Sequence, residues 1–356
     1  MIICSSFLCY RRHFQCYSMF MPNKPKITRA AGFYLVEGFW ADAKPDYSMF
    51  NSQHWLVPGF NKLMEEEVVN LKDGKRKIIV NRDGLISYSE PELDNYGSPA
   101  GGETFQRIEK YAQILNAFAI VFTSTVTSKL KIKYHTNFEL THHDIFGMMY
   151  EDGKFTGMGL PQKSATVRQI DKRFLSNVPT NCIDCLDDYI DRPPRPIISK
   201  AIIEEAITLF FKLTKNTDNV RLLARANKAA AEYAGTAFSD CVLIAWLPVE
   251  VYLYERLKKY MDRRGSNRFN NKRKARLIKD YTVSQIIELL EFGGQLTKDE
   301  YEGLSKVRKV RNAIIHDGHV ATIEEAGDAL KLLETIIKAK TRQPIALNTG
   351  ISMNMF

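Results

Sequence analysis

Thr297-Lys-Asp-Glu-Tyr-Glu-Gly-Leu-Ser-Lys-Val-Arg-Lys-Val-Arg-Asn-Ala-Ile-Ile-His-Asp-Gly318 reads as one helix whose start, stop and inner face are all marked. The Thr297 hydroxyl is placed to accept a hydrogen bond from the backbone N–H of Glu300, and the Glu300 carboxylate to reach back to the Thr297 N–H, a reciprocal capping box. Gly318 sits where a helix ends most easily, because a residue without Cβ enters the left-handed region at no cost. At 100° per residue, Leu304, Val307, Ile314 and Ile315 fall in one arc, so that arc should face a core. Arg311 lies near its centre and Arg308 towards its edge.

Working outward, the same capping chemistry recurs at Thr282 with Gln285 and at Thr322 with Glu325, each ahead of apolar residues at helical spacing. Upstream of these, Ser199 to Thr214 and Val220 to about Met261 also read as helices, the second bent near Pro248. Residues 199–342 are therefore expected to be all helical. Before them, Asp191-Arg-Pro-Pro-Arg-Pro196 can continue neither a helix nor a central strand, so a linker is placed at residues 191–198.

Residues 27–190 are mixed. Gly32 to Trp40 and Lys129 to Tyr134 read as strands, the latter by clean alternation. Lys77 to Tyr88 reads as a hairpin turning at Asp83-Gly84, where a tight turn requires positive φ. Thr104 to Phe118 has helical spacing, with Phe105, Ile108, Ala112, Leu115 and Phe118 on one side. The expected fold class is an α+β N-terminal domain followed by an all-α helical bundle, with a leader at residues 1–26 and a tail at 343–356.

The chain has 356 residues, 45% hydrophobic and 26% charged, which suits a buried core and excludes a disordered chain. Fifty Lys and Arg against 41 Asp and Glu give a net charge of +9, so a polyanionic partner is expected. Six cysteines, three of them at Cys4, Cys9 and Cys16, make no disulfide framework, and a cytoplasmic protein is expected. No apolar run is long enough to span a bilayer, and Arg11, Arg12 and His13 interrupt any signal-peptide core. Met19 or Met21 is expected to be the true start.

Chemistry concentrates at Arg311, Asn312 and His316. A guanidinium in a core-facing stripe is costly to desolvate unless it is paired or faces a cleft or subunit interface. His316 falls in the last turn, where the helix dipole favours a cation. Asn312, four residues earlier, lies on its face. An imidazole moves protons near neutral pH, and an Arg fork grips a phosphate through two parallel hydrogen bonds. Between Arg256 and Lys279 a second feature appears: Arg263, Arg264, Arg268, Lys272, Arg273, Lys274 and Arg276 form a dense basic segment. Gly265, Ser266, Asn267, Asn270 and Asn271 are expected to break its helix and leave a flexible basic loop with Phe269 available for stacking, which suits RNA binding.

Arg311-Asn-Ala-Ile-Ile-His316 resembles the R-x4-6-H motif of HEPN domains, in which a polar residue often follows the Arg. In that family the motif ends the third main helix of a small bundle. Phe238-Ser-Asp-Cys-Val-Leu-Ile-Ala-Trp-Leu-Pro-Val-Glu-Val-Tyr-Leu-Tyr254 is similar to the family's first long helix, with Glu250 as the inward-facing acid. The likeness covers residues 199–342 and not residues 1–190. It implies a metal-independent endoribonuclease without cofactor, of the kind found in prokaryotic antiviral-defence and toxin systems. The ribose 2′-OH would attack phosphorus while His316 transfers a proton, Arg311 stabilises the added charge, Asn312 orients the site and Glu250 supports it. It further implies a homodimer with two motifs facing each other, RNA as partner, and an N-terminal domain that senses a trigger or regulatory ligand or restrains the activity. The competing reading is a silent helical module binding RNA, nucleotide or a protein partner. In either case membrane binding is not expected.

Other features carry less. Cys182-Ile-Asp-Cys185 has zinc-ligand spacing but no second pair, so no metal site is expected. His142 and His143 would point to opposite faces of a strand. Asp187, Asp188 and Asp191 read as a polar loop, and Gly157-Met-Gly159 lacks the context of a phosphate loop. Trp40 and Trp55 read as core.

Overall fold

The computed structural model describes residues 27–35, 38–44, 66–94, 102–131, 137–142, 144–151, 154–159, 196–264 and 270–347. The leader, the Cys182–Cys185 pair, the aspartates at 187, 188 and 191, the linker residues 191–195, and His143, Trp55, Arg268 and Phe269 lie outside them. An α+β region precedes a mostly helical part, as the residue patterns imply.

Among the described residues, seven strands precede the helical part: β1 (Ile27–Phe33), β2 (Trp40–Ala41), β3 (Glu67–Asp73), β4 (Arg76–Asn81), β5 (Ile86–Ser89), β6 (Phe146–Glu151) and β7 (Lys154–Gly159). Six of them form an antiparallel sheet in the order β3-β4-β5-β1-β6-β7. The β4–β5 hairpin turns at Gly84, φ +85°, whose N–H donates to the Asn81 carbonyl at 3.0 Å. Only Gly84 takes a positive φ, and Asp83 instead accepts the Leu85 N–H on its carboxylate at 3.0 Å. β2 leaves the sheet and pairs in parallel with β8 (Ile197–Ile198).

Helices α1 (Pro91–Asp94) and α2 (Gly102–Leu130) are inserted before β6. α2 corrects one expectation: Lys129 and Leu130 end this helix rather than begin a strand, and Lys131 leaves it at φ +53°. Burial of Leu115 to Phe122 on every side carries the helix into the start of the alternating segment, whose residues 132–134 lie outside the described ones. Lys129 then pairs with Glu205 at 2.9 Å.

The C-terminal helices are α3 (Lys200–Leu213), α4 (Thr217–Ala234), α5 (Phe238–Arg264), α6 (Asn271–Asp280), α7 (Val283–Phe292), α8 (Lys298–Asp317) and α9 (Ile323–Thr341). The long second segment is therefore two helices. It breaks at Gly235 and at Thr236, φ +64°, while Pro248 sits inside α5 without ending it. All three capping boxes are formed, with Thr282, Thr297 and Thr322 as caps.

A single hydrophobic core joins the sheet to the helices. Phe118 of α2 stands edge-on to Phe33 of β1 at 6.3 Å and to Phe210 of α3 at 5.3 Å, and Phe210 meets Tyr88 of β5. Arg76, at the start of β4, donates to Thr214 Oγ1 at 2.8 Å and to the Phe211 carbonyl. Past α9 the chain returns as a strap. Ala346 N–H donates to Ser124 Oγ of α2, Leu347 N–H to Glu334, and Asn137 Nδ2 to the Leu347 carbonyl, with Ile345 and Leu347 buried. No helix among the described residues is long and apolar enough to cross a membrane.

Removing Phe118 empties the seam where sheet, α2 and α3 meet. Phe118→Ala should cost about 3–5 kcal/mol. Urea unfolding should show one transition reported alike by far-UV dichroism and by Trp fluorescence; two separated transitions would contradict a shared core.

Candidate active site

α8 is held at its N-terminus by chemistry the sequence announces. Thr297 N–H donates to Glu300 Oε2 at 2.8 Å, and Glu300 N–H to Thr297 Oγ1 at 3.2 Å. Arg256 of α5 adds an ion pair to Glu300 at 3.0 Å, donates to the Gln295 carbonyl, and lies over the Tyr252 ring. Burial pushes the Glu300 carboxyl up, but the bonds from Arg256 and Thr297 outweigh it and hold the group below its ordinary range. Arg256, which belongs to the basic run of the sequence, is thus committed to positioning α8.

The apolar arc of α8 is buried in its first half and open in its second. Leu304 and Val307 are buried, Ile314 is half-buried, and Ile315 is 47% exposed. Arg311 sits where the arc opens and is half-buried. Its Nη1 donates to Asn312 Oδ1 at 3.0 Å, and no described carboxylate lies in ion-pair range. Glu250 of α5, the supporting acid that the resemblance implies, makes no pair with Arg311 and instead accepts the Trp246 Nε1–H at 2.7 Å. The structure therefore brings Arg311 and Asn312 together and leaves Glu250 apart from both.

His316 is exposed in the last turn of α8, with no hydrogen bond to a described residue. Gly318, φ +67°, ends the helix as its missing side chain allows, and its N–H returns to the Ala313 carbonyl. Beyond it, His319 meets Glu325 Oε2 at 2.9 Å, so this second histidine is tied to the cap of α9. Val320, beside that turn, is 79% exposed, and Leu247 and Val251 flank Glu250 on α5 with nearly half their surface open.

The basic segment divides. Arg263 donates to Gln295 Oε1 at 2.8 Å. Arg264 ends α5. On α6, capped by Asn270, Lys272, Arg273 and Arg276 are exposed, Lys274 pairs with Asp262 at 2.8 Å, and Arg276 stands 4.0 Å from Asp280. Much of what reads as a loop is a helix, because the Asn270 side chain accepts the Arg273 N–H and starts one. Among the described residues no cluster of three His, Cys, Asp or Glu side chains is arranged to hold a metal.

A cleft unmarked by any motif, and lined by no residue of α8, lies between α2, residues 137–142 and α4, with Arg221 and Arg225 in its lining. Their Arg-x3-Arg spacing puts both on one helix face, which is the signal a sequence reading can use. No family model, curated protein or solved structure matches this chain.

Because Glu300 is held low, its contribution to stability is complete above the ordinary value of 4.5 and is lost as pH falls through the depressed folded value. Melting temperature followed from pH 7 down to about pH 3 should show an acid-side loss that Glu300→Gln diminishes. An identical acid profile in the variant would remove Glu300 from the account.

Proposed function

We propose that the chain is an endoribonuclease of the HEPN type that cuts RNA without a metal, through Arg311 and His316 at the open end of α8. The observation that carries this reading is a half-buried guanidinium with no carboxylate partner among the described residues, held by its neighbour Asn312, five residues before an exposed imidazole on the same helix. A buried Arg that served packing alone would be expected to carry a counter-charge. Left without one, it is suited to an external anion.

In the reaction the ribose 2′-oxygen attacks the adjacent phosphorus and gives up its proton to an imidazole. The P–O5′ bond breaks, the leaving oxygen takes a proton, and a 2′,3′-cyclic phosphate remains. Arg311 donates to the non-bridging oxygens as charge gathers on the phosphorane. Asn312 holds the guanidinium by accepting one of its N–H groups. One imidazole cannot be base and acid at once, so two copies of α8 across a homodimer suit the chemistry. Exposed Ile315 and Val320 beside His316 support such an interface. Lys272, Arg273 and Arg276 on α6 supply charge for the RNA backbone. A role in defence or as a toxin accords with this chemistry, since unrestrained RNA cutting arrests a cell.

Incubated with total RNA in chelator, the protein should cut, and His316→Ala should lose roughly 100-fold or more of the rate, the scale of acid–base catalysis. An oligonucleotide with a single 2′-deoxy sugar at the scissile position should survive. Cutting that persists in the variant, or that spares no deoxy position, would contradict the mechanism; binding without cutting by either protein would leave a silent RNA-binding module. Ile315→Lys should shift the protein towards monomer in light scattering and lower cutting about tenfold, because a two-copy site follows the dimer population. A fully active monomer would remove the shared site.

A further inference from the structure

We propose that the cleft between α2, residues 137–142 and α4 binds a small phosphorylated molecule, its phosphate gripped by Arg221 and Arg225 and its hydroxyls taken by Glu109 and Gln113. The cleft measures about 540 Å³, within the range of small-molecule sites. One wall is α4, where Arg221, Ala224, Arg225 and Lys228 share a face at spacings of three, four and seven residues. The facing wall is α2, with Glu109, Ala112, Gln113 and Asn116 at the same spacings.

The floor is rigid and its hydrogen bonds are used. Asn116 Oδ1 accepts from Leu140 N–H at 2.9 Å and from Asn227 Nδ2 at 2.8 Å. Asn116 Nδ2 donates to the carbonyls of Ala112 and Leu140, and Asn227 Nδ2 also donates to that of Phe138. The walls differ. Lys228 pairs with Glu139 at 3.0 Å, which neutralises one of the two carboxylates of the lining and leaves Glu109 charged on the opposite wall. Arg221 and Arg225 are exposed and make no hydrogen bond or ion pair with any described residue. Two guanidiniums one turn apart repel each other unless something negative lies between them, and their planar forks match phosphate oxygens. Ala224 leaves room beside them. Glu109, across the cleft and likewise without an ion pair, accepts from hydroxyl or amine groups. Charged and amide side chains stand among apolar ones such as Ala112 and Leu140, a mixed lining that suits a ligand with both polar and apolar parts. This site is separate from α8 and does not rest on the nuclease reading.

Calorimetric titration of the full chain with ADP and with inorganic pyrophosphate tests it. Saturable binding of one ADP per chain is expected, weakened at least about tenfold in R221A/R225A, the scale of a lost charge-assisted bidentate contact. Ala224→Trp, which fills the cleft and keeps both charges, should abolish binding, whereas Lys75→Ala, on the β3–β4 turn, and His316→Ala should leave it intact. No binding of either probe, or equal binding by the double variant, would overturn the proposal. So would an RNA oligonucleotide that needs the arginine pair while neither small anion binds.

Discussion

The molecule is organised around α2, a helix in which every residue from Leu115 to Val126 is buried. Such a helix has no face to offer water and must be enclosed. The sheet covers one side through Phe33 and Tyr88, joined by Phe39 just ahead of β2, and α3 and α4 cover the other. Because α2 and the sheet lie before residues 191–198 while α3 and α4 lie after them, the core is shared across that stretch. Packing thus continues across the place where the chain pattern breaks.

A second constraint acts along α8. Its first two turns are anchored by the Thr297 cap and by Arg256, and Leu304 and Val307 are sealed against α5 and its neighbours. From Arg311 onward the same face opens. A guanidinium there keeps part of its hydration and has its geometry set by Asn312, so it is held in place without being neutralised. The candidate chemistry thus depends on where the core stops as much as on which residues are present.

Capped helices were the most legible part of the chain, since a Thr oxygen and a Glu three residues on interact within one turn and owe little to the rest of the fold. The Gly84 turn and the Gly318 stop were readable for the same reason. Reading failed where distant contacts decided. Lys129 to Tyr134 alternates like a strand, yet α2 runs into it because its preceding turns are buried. Pro248 looks like the bend of a long helix, but the true break is at Gly235 and Thr236, while packing carries α5 through the proline. At the site, the position of Arg311 in the arc was legible and its freedom from Glu250 was not, because Trp246 competes for that carboxylate four residues away on the same helix. Arg221 and Arg225 lay in plain view, but only the approach of α2 and residues 137–142 turns an ordinary exposed pair into one wall of a cleft.

The strap at residues 345–347 has a bearing on the order in which the protein is made. Ser124 and Asn137 receive their partners from a part of the chain that emerges from the ribosome more than two hundred residues later. Until then the far end of α2 stands unlatched, although every helix of the C-terminal part up to α9 has been synthesised. Closure is therefore a late event in biogenesis, and the nascent chain spends most of its translation with that seam open to chaperones and proteases.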